Sequence, residues 1–299
     1  MKFVTYQKDN VESIGIVYES RMISLKSLEK IYAKEGFYPS ELIAMITSFD
    51  YFRPFLERHL HQVKADRKEE EVTLSREEVR VLAPIPTPRK NIMCVGKNYR
   101  DHAIEMGSAA DIPADLIVFT KSPSSVVGHL HPVNSHSTIT SQLDYEGELA
   151  VIIGRKGSNI SHNQALDYVF GYTIMNDITA RDLQKKHKQF FIGKSLDTFC
   201  PMGPVVVTKD EMNHPEELFI KTEVNGHLRQ LSNTKHLIFP IQEIISTLSQ
   251  GMTLEPGDII ATGTPAGVGK GMNPPSYLKN GDKVTVTIEG IGELTNIIE

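Results

Sequence analysis

The sequence is short of almost everything that would mark it for a special environment. It has two cysteines, Cys94 and Cys200, in 299 residues. That is too few for a disulfide framework and fits a reducing compartment. Cys94 sits in the apolar run Ile92-Met93-Cys94-Val95, where a thiol packs like a small hydrophobe. No apolar stretch approaches the ~20 residues that a membrane span requires. The opening Met1-Lys2-Phe3-Val4-Thr5-Tyr6 lacks the apolar core and small-residue cleavage site of a signal peptide. Basic residues hold no surplus, with 32 Lys+Arg against 37 Asp+Glu for a formal net charge of −5, so nucleic acid is a poor candidate partner. There is no tandem repeat and no low-complexity tract. The expectation is a soluble, cytoplasmic protein without a membrane or nucleic-acid partner.

What is present divides into two textures. A chain of this length buries roughly 75% of the surface its unfolded form exposes, enough for one large domain and a small one. Up to residue 83, short strand-like runs precede helical spacing, with Leu42, Ile43, Ile46, Phe52, Phe55 and Leu56 predicting a helix over 39–64. The alternate prolines of Ala83-Pro84-Ile85-Pro86-Thr87-Pro88 demand an extended segment. A domain boundary is expected there, giving a small α/β domain over 1–83 and a catalytic domain over 84–299. The second part reads as β-rich, with strands predicted at 92–95, 116–120, 148–153, 170–175, 204–208, 219–224, 258–262 and 284–288. Turn signals such as Asn225-Gly226 and Asn280-Gly281-Asp282 separate them. Helices are expected after residue 98, near 161–167 and over 241–249, for an α+β, β-rich fold.

The chemistry concentrates in Asp144-Tyr145-Glu146-Gly147-Glu148 and the apolar run that follows it, Leu149-Ala150-Val151-Ile152-Ile153. Such a run marks a strand buried on both faces. Glu146 and Glu148, two residues apart at its mouth, point to one side at ~7 Å along the backbone. Asp144 shares that parity. Like charges so placed repel, and a hard divalent cation relieves them. A second apolar strand, Val169 to Met175, runs into Asn176-Asp177 and adds a third carboxylate. Carboxylates without histidine or thiolate suit Mg²⁺ or Mn²⁺ rather than zinc. The alternative is a strand end with hydrated acids. His102 and Glu105, one helical turn apart, form a candidate general-base pair, against the reading of an ordinary exposed helix pair.

With these residues identified, the sequence resembles the fumarylacetoacetate hydrolase family from about Pro86 to the C-terminus. Six motifs in family order carry the resemblance. They are Gly96-Lys97-Asn98-Tyr99-Arg100-Asp101-His102, Phe119-Thr120-Lys121-Ser122-Pro123, Leu143 to Leu149, Asn176-Asp177-Ile178-Thr179-Ala180-Arg181-Asp182, Gly193-Lys194-Ser195 and Thr262-Gly263-Thr264-Pro265-Ala266-Gly267-Val268-Gly269. The resemblance implies a β-sandwich roll, usually a homodimer, with metal ligation by Glu146, Glu148 and Asp177. It also implies a positive charge from Lys194 beside the substrate, a lid helix bearing His102 and Glu105, and substrate contacts from Arg181, Gln184 and Thr264. Arg181 has a second reading, pairing with a ligand carboxylate, and Tyr99 either closes the pocket or simply packs.

The N-terminal segment and overall length are most similar to bacterial members associated with oxaloacetate decarboxylation. The leading expectation is therefore cleavage of a small 2-oxo acid through a metal-stabilised enolate, giving pyruvate and CO₂ from oxaloacetate. Acylpyruvate or fumarylpyruvate-type C–C hydrolysis and 2-hydroxydienedioate isomerisation share the same metal site. A binding or scaffolding protein that retains the fold is the reading from another class. Lys185-Lys186-His187-Lys188 reads as a solvated face or a rim attracting anionic substrate, and His129, His131 and His136 as loop residues.

Overall fold

The computed structural model describes the backbone of residues 1–299 and every side chain except that of Arg76. Runs of β-branched and apolar residues pair into a twelve-stranded sheet. Its main path runs Thr73–Leu74, Arg21–Ser24, Val11–Tyr18, Lys2–Lys8, Cys200–Thr208, Val169–Asn176, Gly147–Ile153, Ile259–Ala261, Ile92–Gly96 and Ile117–Lys121. A four-stranded sheet of His227–Asn233, Phe219–Val224, Lys283–Ile288 and Gly292–Ile297 packs against it. The β-rich α+β class expected from the sequence is the one observed.

Gly147–Ile153 explains the layering. All seven of its residues are buried, because its two faces meet different partners. Leu149, Val151 and Ile153 join Ile220, Val286, Ile288 and Leu294 of the smaller sheet in one core. Ala150 and Ile152 face the other way, into a core with Leu42, Met45, Ile46 and Leu56 from the N-terminal helices. The segments on either side of residue 83 thus share a sheet, through the pairs Lys2↔Val207 and Phe3↔Val206, and a core.

Three local features differ from the sequence expectation. The helix expected over 39–64 is two helices, Leu42–Thr47 and Phe49–Asp66, broken at Ser48, whose ψ of 23° leaves the α region. The helix expected near 161–167 is of the 3₁₀ kind, His162–Tyr168. Asp144 and Glu148 do not share one continuous strand, since Leu143–Asp144 pairs separately with Thr179–Ala180. Among the described residues, no helix is long and apolar enough to cross a membrane.

Both cysteines are fully buried. Burial raises both thiols, with the Asp177 and Glu148 charges adding to it at Cys94, while Cys200 is pushed up to about 12. The thiolate is the reactive form. The native protein is therefore expected to resist an alkylating reagent at about pH 8 and to take up two labels per chain only after unfolding, read by intact mass.

Candidate active site

The antiparallel pairing of two core strands builds the site. Gly147 lies opposite Asn176, so the acidic residues at the start of one strand meet Asp177 at the end of the other. The Asp177 N–H donates to the Glu146 carbonyl at 2.8 Å. Glu146, Glu148 and Asp177 each offer an oxygen within 4.8 Å of the others, and all three are buried. Oxygen donors alone, crowded at this distance, are the donor set of a hard divalent cation.

A divalent cation is not the carboxylates' sole source of relief, because the chain supplies positive charge of its own. Four buried carboxylates (Asp144, Glu146, Glu148, Asp177) are accompanied by three buried cations, Lys121, Arg181 and Lys194. Lys194 Nζ bridges Glu146 Oε2 at 2.8 Å and Asp177 Oδ2 at 2.5 Å. Lys121 Nζ donates to Asp177 Oδ1 at 2.6 Å and to the Ile178 carbonyl at 3.1 Å. Arg181 reaches Asp144 through Nε at 2.8 Å and Glu146 through Nη2 at 2.7 Å.

The compensation is uneven, and this is where a cation fits. Burial raises the Glu146 carboxyl, but the Lys194 and Arg181 charges outweigh it and hold it below the ordinary range. Burial favours neutral Lys194, yet Asp177 and Glu146 outweigh it and keep the ammonium charged. Glu148 is held well above the usual carboxylate range, by burial first and then by the charges of Asp177 and Glu146. Its direct partner is an N–H rather than a cation, that of Gly263 at 2.8 Å. Among the described residues, Glu148 is the one member of the triad with no lysine or arginine paired to it.

Asp144, despite its parity, turns away from the triad. It accepts from Arg181 Nε, Gly269 N at 2.7 Å and Lys270 N at 3.0 Å. It therefore anchors an arginine and a loop, which the break in the strand permits.

A cavity of about 330 Å³ opens onto Glu146 and Glu148, and His102, Arg181, Gln184, Lys194 and Thr264 also line it. On the helix Arg100–Glu105, His102 Nδ1 meets Glu105 Oε2 at 3.3 Å, and Glu105 Oε1 accepts from Gly267 N at 2.9 Å. The helix is thereby latched to the glycine-rich loop. Gln184 accepts from Arg181 Nη1 at 3.3 Å. The Thr264 hydroxyl accepts from Gln230 Nε2 at 2.7 Å and donates to the Gly147 carbonyl at 2.9 Å.

Tyr99 does not line this cavity, although burial and then the Glu148 charge raise its hydroxyl above the ordinary range. It lines a neighbouring depression with Phe219, Leu231 and Pro265, and its buried hydroxyl has no partner among the described residues.

Two residues of the site went unassigned in the sequence. Lys121 ends the strand Ile117–Lys121, within the motif Phe119-Thr120-Lys121-Ser122-Pro123. A charged residue terminating an apolar strand is the same signal that singled out Asp177. Gln230, fully buried, joins the Gly147 N–H to Thr264 and the Pro265 carbonyl. Nothing local marks it.

Residues 91–299 match the family described as fumarylacetoacetate (FAA) hydrolase, C-terminal. Oxaloacetate tautomerase YisK of Bacillus subtilis strain 168 is 54% identical over 300 residues, covering 100% of both chains. A solved fumarylacetoacetate hydrolase (EaFAH) from psychrophilic Exiguobacterium antarcticum matches with a TM-score of 0.83 at 44% identity, over 100% of this chain and 99% of that one. Maleylpyruvate hydrolase from Sphingobium sp. SYK-6, in complex with manganese(II) ion and pyruvate, matches with a TM-score of 0.78 at 29% identity, over 100% of this chain and 98% of that one. The chain belongs to the fumarylacetoacetate hydrolase family of enzymes.

Proposed function

We propose that this enzyme interconverts the enol and keto forms of oxaloacetate with the help of Mg²⁺ or Mn²⁺. The observation that carries the reading is the placement of the His102–Glu105 pair and the Glu146–Glu148 end of the triad on one small cavity. Held by the three carboxylates, the cation would supply Lewis acidity toward the carboxylate and 2-oxo oxygens of the substrate. The chain's own residues handle the proton. With Nδ1 engaged by Glu105, His102 Nε2 is the nitrogen free to take a proton from C3 or to return it. Lys194, fixed between Glu146 and Asp177, keeps positive charge close to the 2-oxygen as that atom becomes more negative. One proton moves between carbon and oxygen, and no bond between heavy atoms breaks.

The relative at 54% identity is named an oxaloacetate tautomerase, which supports this substrate. Decarboxylation to pyruvate and CO₂, placed first by the sequence resemblance, starts from the same bound 2-oxo acid, as does acylpyruvate hydrolysis. The lysines around the cavity favour proton transfer over decarboxylation. Cations that attract the distal carboxylate stabilise it in its charged form, and its departure as neutral CO₂ forfeits that attraction.

The test follows enol absorbance and CO₂ release from oxaloacetate, and hydrolysis of acetylpyruvate, with each ion and after chelation by EDTA. Enol loss is expected to be the fastest of the three reactions and to stop on chelation. If neither ion supports faster enol loss than buffer alone, the proposal fails.

A further inference from the structure

Resting on the 2-oxo acid reading above, we propose that Lys270 and Lys185 hold the distal carboxylate of the substrate and select dianionic 2-oxo acids over monoacids.

Arg181, for which the family resemblance implies a substrate contact, is already engaged within the protein. Its guanidinium is 3% exposed as a residue and already serves Asp144, Glu146 and the Gln184 side chain. Lys194 is committed to Glu146 and Asp177, and Lys97 pairs with Asp111 at 3.3 Å. Three more lysines line the same cavity: Lys185, Lys188 and Lys270. Among the described residues, none of these three side chains has an acidic partner within 4.0 Å.

Lys270 has the best-defined seat. Its own N–H and that of Gly269 both donate to the Asp144 carboxylate, the group that also orients Arg181. The loop is packed on both sides of it: a Cβ at Gly269 would collide with the Ser276 carbonyl, and one at Gly271 with the Glu105 carboxylate. The Lys270 backbone is therefore held in register with the arginine and, through it, with Glu146.

Partial burial, then the charges of Arg181 and Lys185, draw the Lys270 ammonium below its ordinary pKa against the opposing charges of Asp144 and Glu146, and the side chains of Lys185 and Lys270 stand exposed at the rim. Converging positive charge is relieved by an anion, as converging carboxylates are by a cation. The cavity has an acidic end suited to a cation and a basic rim suited to a second carboxylate.

The test compares malate with lactate, 2-hydroxy acids that share a chelating head and differ in the distal carboxylate. Calorimetry in the presence of Mn²⁺ measures both on the wild type and on the K185Q/K270Q double variant. Wild type is expected to bind malate about tenfold tighter or more. The double variant is expected to lose that preference, with lactate affinity changing less than about twofold, which also reports an intact fold. Equal weakening of both ligands, an unchanged preference, or no preference in the wild type would each overturn the assignment. None of these outcomes depends on turnover, so failure of the tautomerase reading is seen separately, in the oxaloacetate assay.

Discussion

Exchanging Glu148 for glutamine is expected to lower turnover by about a thousandfold, or about 4 kcal/mol of transition-state stabilisation, while the cation-free protein stays as stable as before or gains. Glu148 is 1% exposed and lies among the charges of Asp177 and Glu146, which together with burial hold its carboxyl well above the usual range. Glutamine keeps the shape and an oxygen for the Gly263 N–H, and it removes the charge that burial penalises. Catalysis changes in the opposite direction, because one of three anionic ligands is gone and with it the grip on the cation. Thermal melts with and without Mn²⁺ separate the two effects. Wild type gains melting temperature on adding the ion, by mass action on the folded state, and the variant does not. A variant with normal turnover, or with the wild-type gain from Mn²⁺, would remove Glu148 from the site's chemistry.

The second large effect has the opposite character. Arg181→Met removes the cation paired with buried Asp144 and one of the two paired with Glu146, which keeps Lys194. Removing one member of a buried, hydrogen-bonded charge network costs about 3–5 kcal/mol, because the stranded charge stays buried. For a chain of this size that corresponds to a fall in melting temperature of about 10 °C. Lysine at this position is expected to rescue little of it. A single ammonium cannot present the spaced donors by which the guanidinium reaches Asp144 Oδ2 and Glu146 Oε1 together. Denaturant unfolding of the cation-free variants gives the measurement, and a loss below about 1 kcal/mol would show that the network contributes only as much as a surface pair.

The two substitutions bracket the electrostatics of the site. Arg181 belongs to a framework of ion pairs within the chain that neutralises Asp144, Glu146 and Asp177. Glu148 is the carboxylate that framework leaves uncompensated. Buried lysines and an arginine neutralise much of the carboxylate charge from within the chain.

The sequence by itself determined what local pattern encodes. An apolar run ending in a carboxylate is a core strand carrying charge to the core's edge, which located Glu146, Glu148 and Asp177. A histidine and a glutamate three residues apart touch on any helix, which located His102 and Glu105. The β-rich class followed from strand-length runs between turn signals. Tertiary structure alone decided the pairings. Asp144 shares the parity of its neighbours, but a strand break sends it to Arg181 and to Gly269, 125 residues away. Lys121 meets Asp177 across 56 residues, and Gln230 meets Gly147 across 83. The N-terminal strands continue the catalytic sheet through a pairing with residues near 206. Periodicity tells which way a side chain points. What it meets there is set by chain segments far away in sequence, and a buried charge takes whichever opposite charge the packing of those segments delivers.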